Sequence, residues 1–238
     1  MTSFRPARQN RQENSMTTQT LTRLAAETDA PASDMPKKRL FTRKEYHAMG
    51  KAGVFAPNER VELLEGAVIA MSPVGDRHSA CVVRLNRAFA GLNIANRTLV
   101  SVQSPVVTSP ASEPEPDLML LAFRDDLYDF GKPRPQDVLL LIEVSDSSLE
   151  YDGEVKLPYY ASLGIPEVWI ANLQDDRIEA HTEPTPQGYR STRIYQRGDT
   201  ISPTAFPDLQ ISVNDIIPAQ PNPELDTQNG DDDDNPEQ

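Results

Sequence analysis

Five apolar residues in a row, Val138-Leu139-Leu140-Leu141-Ile142, run directly into Glu143. A run of this length reads as a strand buried on both faces, and such a strand belongs to a sheet covered by helices. The carboxylate at its end constrains the chain further, because an isolated buried charge is costly and needs a partner. A second apolar run, Leu118-Met119-Leu120-Leu121, is preceded by Pro116-Asp117, and Lys156 stands thirteen residues after Glu143. Two carboxylates on neighbouring strands and a nearby lysine suit a hard-metal site that cleaves phosphodiesters. Such chemistry needs a cation to polarise the phosphate and to acidify a water. Magnesium prefers oxygen ligands and usually takes only one or two carboxylates. Asp117 and Glu143 supply those, with the backbone carbonyl of Val144 as a third oxygen. Lys156 would orient or deprotonate the attacking water, or stabilise the pentacovalent phosphate. Each residue taken singly has a plainer reading: Asp117 as a turn residue, Glu143 on an exposed edge, Lys156 solvated.

The rest of the chain predicts an α/β architecture. Thr42 begins a helix, with Glu45 completing a capping box. Residues 61–71 read as two strands turning at Glu65-Gly66. A helix from His78 to about Ile94 carries Cys81, Leu85, Ala88, Phe89 and Leu92 on one stripe. Strands are predicted over 99–107, 117–123, 138–144 and 168–173. A helix is predicted over 151–163, irregular around Pro158 and ended by Gly164. A hairpin follows from Ile178–His181 and Tyr189–Gln196, and Phe206 to Ile217 closes the domain. Trp169 is expected in the core, and Tyr128, Phe130 and Tyr159 as packing residues. The order gives a mixed central sheet flanked by helices, with an extra hairpin.

Charge shapes the rest of the organisation. The chain of 238 residues sums to −13. Its last twenty residues carry seven acidic side chains and no basic one, residues 1–38 sum to +2, and the stretch between them still sums to −8. Residues 1–38 and 219–238 are polar and aperiodic and are expected to be disordered tails, leaving one folded domain over 39–218. The acidity argues against strong nonspecific affinity for nucleic acid. No apolar stretch approaches the roughly 20 residues of a membrane span, and the N-terminus lacks a signal-peptide core, so a cytoplasmic location is expected. The single cysteine, Cys81, rules out an internal disulfide and a cysteine-based zinc cluster.

Residues 139–170, LLLIEVSDSSLEYDGEVKLPYYASLGIPEVWI, resemble the Uma-type restriction endonucleases, a branch of the PD-(D/E)XK nuclease superfamily. The segments RVELLEGAVIAMSP, GDRHSACVVRLNRAF and EPEPDLMLL match the same family in the same order. The resemblance covers residues 40 to 217. It implies a restriction-endonuclease-like sheet, a Mg2+ or Mn2+ site and DNA as substrate. Carried over by motif, Asp117 matches the superfamily's first aspartate and Glu143 its second acidic position. The superfamily lysine falls two residues after the glutamate, where this chain has Ser145. Lys156, on the following helix, is the counterpart the resemblance offers. Glu62 matches an early acidic residue and is expected to assist as a metal or water ligand.

Four further residues are candidates for support. Asp152 and Tyr160 flank Lys156 at four-residue spacing, so on a helix they share its face. Asp146, with Ser147 and Ser148, is placed to cap that helix or touch phosphate. His78 opens a helix after a Pro/Gly turn, where it would meet a phosphate or water. His47 and His181 fit no metal-ligand spacing. A homodimer is expected by analogy, since two copies cut two strands most simply. The main rival is a noncatalytic nucleic-acid-binding or regulatory module on the same fold. A two-carboxylate glycosidase would need a sugar cleft with stacking aromatics, and the one tryptophan is expected to be buried.

Overall fold

The computed structural model describes residues 37–220. The two expected tails lie outside the described residues, apart from positions 37, 38, 219 and 220.

The apolar runs do become neighbouring strands. Helix α1 (Arg43–Lys51) opens on the Thr42–Glu45 capping box, with Thr42 accepting from the Glu45 N–H. Strands β1 (Val61–Leu64) and β2 (Ala67–Ala70) form an antiparallel hairpin. Its two turn residues, Glu65 and Gly66, have φ of 48° and 81°, as a two-residue turn requires. Gly66 is also hemmed in: a Cβ there would stand 2.6 Å from the Leu40 Cβ. Helix α2 spans Asp76–Ile94 and buries Cys81, Leu85, Phe89 and Leu92.

The central sheet has six strands, in the order β3 (Leu99–Val102), β4 (Leu118–Leu121), β5 (Val138–Ser145), β6 (Glu167–Asn172), β7 (Arg177–Thr185) and β8 (Gly188–Gln196). The β5–β6 pair is parallel and every other neighbour antiparallel, so the sheet is mixed, as expected. The strand predicted over 99–107 stops at Val102. Residues beyond it leave the ladder, and Val106 packs back over the sheet beside Met119 and Leu141. A short pair, β9 (Thr200–Ile201) with β10 (Ile211–Ser212), and helix α5 (Val213–Ile216) close the domain.

Period-2 alternation divides the sheet residues between two cores. Leu118, Leu120, Leu140, Ile142, Val144 and Trp169 join the α2 residues on one face. Met119, Leu121, Leu141 and Val168 join Tyr160 and Ile165 on the other.

The helix after β5 forms where predicted, and its irregularity falls earlier than the expected position around Pro158. It comprises α3 (Leu149–Tyr151), a π turn over Asp152–Lys156 and α4 (Leu157–Ser162). The irregularity precedes Pro158, which sits in the first turn of α4. In the π turn the Leu157 N–H donates to the Asp152 carbonyl, five residues back. Phe130 is a correction: it is 90% exposed. Leu127 and Tyr128 both adopt positive φ, which turns the loop so that Tyr128 faces inward, its hydroxyl donating to the Ala122 carbonyl. Among the described residues no helix is long and apolar enough to cross a membrane.

Candidate active-site cleft

The β4–β5 register determines which side chains meet. Leu118 lies opposite Ile142, so Asp117 and Glu143 are the next pair outward. Alternation sends Glu143 to the face covered by α4 rather than to the α2 face, while Asp117, just before β4, is met by His78 from the first turn of α2. Glu143 lies within a buried stretch of a central strand, not on an exposed edge.

Asp117 is fixed by three donors. The Val144 N–H donates to its Oδ2 at 2.9 Å, His78 Nε2 lies 3.1 Å from the same oxygen, and Gln103 Nε2 is 3.4 Å from Oδ1. Burial pushes the Asp117 carboxyl up, but these donors outweigh it and leave the group below its usual value. A strand residue's N–H and C=O leave by the same edge, so the Val144 carbonyl also leaves β5 on the Asp117 side.

Glu143 Oε1 accepts from Tyr160 at 2.7 Å and from Lys156 Nζ at 3.2 Å. Lys156 Nζ also stands 3.1 Å from Glu62 Oε2. The ammonium is only 3% exposed and Glu62 only 1%. Glu62 further accepts from the Glu115 N–H at 3.1 Å, and Tyr151 OH lies 3.4 Å from its Oε1. Burial disfavours the Lys156 ammonium, yet Glu143 and Glu62 beside it raise its pKa overall. One ammonium thus serves two carboxylates. Burial pushes the Glu143 carboxyl up to about 8; Lys156 offsets part of that, while Asp152, Asp117 and Glu62 add to it.

The spacing-based pair Asp152–Lys156 does not form an ion pair. Asp152 instead accepts from Ser145 at 2.8 Å and Ser148 at 2.6 Å. The reason is the π turn: widening the helix there breaks the four-residue stacking that an α-helix imposes. Ser145, two residues after Glu143, thereby holds an aspartate, and Lys156 reaches Glu143 from the π turn.

These residues line a single cleft of about 330 Å³, bounded by Glu62, His78, Asp117, Glu143, Asp152 and Lys156. Asp146 lies on its rim, as do Arg60 and Tyr151. Sequence reasoning passed over Arg60, Tyr151 and Gln103. Arg60 carried a usable signal, since it sits two residues before Glu62 and so shares its face of the hairpin.

A divalent cation fits the chemistry of this donor set. Asp117, Glu143 and the Val144 carbonyl are hard oxygen donors, and they meet where β4 and β5 part. Among the described residues no three His, Cys, Asp or Glu side chains converge to hold a metal by themselves. Two carboxylates with a carbonyl are what magnesium asks of a protein, the remaining positions falling to water.

Fold and cleft together define a restriction-endonuclease-like α/β protein. A likeness to a solved structure agrees: a "putative nuclease belonging to DUF820" from Anabaena variabilis ATCC 29413 superposes with a TM-score of 0.57 at 13% identity. The match covers 74% of this chain and 97% of that one. The chain belongs to the Uma2 family, described as "putative restriction endonuclease", whose profile matches residues 43–214. None of the curated proteins compared with it matches.

Proposed function

We propose that this protein is a divalent-metal-dependent endonuclease that hydrolyses phosphodiester bonds in DNA. The observation that carries the reading is the convergence of Asp117, Glu143, Lys156 and Glu62 in one cleft, three of them drawn from separate elements far apart in sequence. Membership of a nuclease family supports it.

In this reading Asp117, Glu143 and the Val144 carbonyl hold Mg2+ or Mn2+. The cation supplies Lewis-acid polarisation of the phosphate and a more acidic water. Lys156 acts as a cation rather than a base, because its neighbours hold the proton on it. Its ammonium orients the attacking water and offsets charge developing on the phosphate. Glu62 aims that ammonium, Tyr160 aims Glu143, and His78 aims Asp117. Asp152, held by two serine hydroxyls, adds negative potential that keeps Lys156 charged. Cutting both strands would take two copies of the chain, which is the case for a homodimer.

The test joins metal-binding calorimetry with plasmid nicking, on the wild type and on Asp117→Ala with Glu143→Ala. Metal binding lost in the double variant, together with nicking that requires Lys156, supports the enzyme. The net acidity favours a second reading, a binding or regulatory module that holds metal without turnover; binding with no nicking on any DNA form would select it.

A further inference from the structure

Within the proposed nuclease reading, we infer that Arg60 is the residue that holds a backbone phosphate of the nucleic acid at the mouth of the cleft. The inference rests on that reading and on how the charges in the cleft are already committed. A phosphodiester entering here meets the acidic side chains of Glu62, Asp117, Glu143, Asp146 and Asp152, and few positive charges to set against its own. Of the basic groups on the walls, Lys156 is engaged by Glu62 and Glu143, and His78 by Asp117. Arg60 is the remaining one, and among the described residues its guanidinium makes no hydrogen bond or ion pair. Glu115 lies near enough for Arg60 to offset part of the rise that burial gives its carboxyl, but the two do not pair.

The backbone beneath Arg60 is fixed. Its carbonyl accepts from the Met71 N–H at 2.9 Å, which extends the β1–β2 ladder by one pair beyond Val61 and Ala70. Arg60 and Glu62 then leave the same face of the hairpin. Glu62 is buried against Lys156, while Arg60 is half-buried at the rim. A guanidinium on a fixed strand presents a planar fork of donors that matches phosphate oxygens two at a time. The other basic cluster, around Phe130, lines a separate pocket that holds none of the cleft residues: there Arg43 and Lys132 are both bound to buried Glu113, Arg124 to Asp126, and only Arg134 has no ion pair among the described residues.

The test is salt-dependent binding of duplex oligonucleotides of several sequences to the full chain. Calcium replaces magnesium, as a hard cation that takes the same kind of oxygen ligands. Each neutralised phosphate contributes about 0.9 to the slope of log K against log salt. Arg60→Gln is expected to reduce that slope by about one unit, weakening binding about equally for every sequence. Arg60→Lys, which keeps the charge and loses the fork, is expected to keep the slope with weaker binding. Calcium affinity, read by calorimetry, should be the same in all three proteins. An unchanged slope in Arg60→Gln, with a wild type that binds, would overturn the assignment of Arg60 and leave the nuclease reading standing. A wild type that binds no duplex at any salt would overturn both.

Discussion

The Asp117 carboxylate accepts a 2.9 Å hydrogen bond from the backbone N–H of Val144. Residues 27 positions apart are thus locked together where β4 and β5 part, and the same bond points Asp117 at the β5 edge from which the Val144 carbonyl emerges. Asparagine can still accept from the Val144 N–H but brings no charge. Asp117→Asn is therefore expected to fold, with a stability change within about 1 kcal/mol. Its metal affinity should fall about tenfold or more, ~1.4 kcal/mol. Thermal melts and calorimetry on the same sample check both halves.

Lys156→Ala leaves Glu62 and Glu143 buried without their shared ammonium. Breaking a buried ion pair by removing one partner costs about 3–5 kcal/mol. The variant should be that much less stable near neutral pH in denaturant melts, and nicking should disappear. Lys156→Arg should recover much of the stability. Recovery of full nicking with arginine would mean that charge alone, not the shape of the ammonium, serves the reaction.

The Glu143 carboxyl, raised to about 8 by burial and its acidic neighbours, makes metal binding and stability depend on pH. A folded-state value above the ordinary 4.5 means that this group's stabilisation is present at acid pH and lost as pH rises through about 8. Metal-free protein should accordingly lose melting temperature as pH rises from 4.5 to about 8, and level off above it. Glu143→Gln should flatten that part of the profile. Below about 8 a cation must displace the proton, so magnesium affinity should rise with pH, with about one proton released per ion. Titration in buffers of different ionisation enthalpy counts that proton.

Glu113 gives the opposite dependence. Burial raises its carboxyl, but Lys132, Arg43 and His47 bind it and hold it below the ordinary carboxylate value. Its stabilisation is therefore present above pH 4.5 and lost as pH falls through its depressed value. Glu113→Gln should cost about 1–3 kcal/mol at neutral pH and reduce the loss on acidification. A Tm profile from neutral to acid pH that is unchanged by the substitution would show the cluster to be energetically idle.

Some of the site was legible because it is written in local pattern. The Val138–Ile142 run announces a buried strand, and Glu143 at its end announces a buried charge. The capping box at Thr42, the Glu65-Gly66 turn and the α2 stripe are short-range signals too, and the structure carries each of them. Asp152 shows where local pattern misleads. Four-residue spacing pairs it with Lys156 on an ideal helix, but a single π turn redirects it to Ser145 and Ser148. Phe130 shows the same for hydrophobicity, since two positive-φ residues before it turn the loop outward.

Most element types, the buried runs and the residue chemistry of the cleft follow from local sequence, because propensity, alternation and capping act over a few neighbours. Tertiary contacts settle that Asp117 lies beside Glu143, that Lys156 bridges Glu143 to Glu62, and that Arg60 at the rim pairs with none of the described residues. Those facts depend on strand register and on the approach of the β1–β2 hairpin to the π turn. They are contacts across 13 to 94 positions of chain, where burial and charge compensation, rather than local preference, choose the partner.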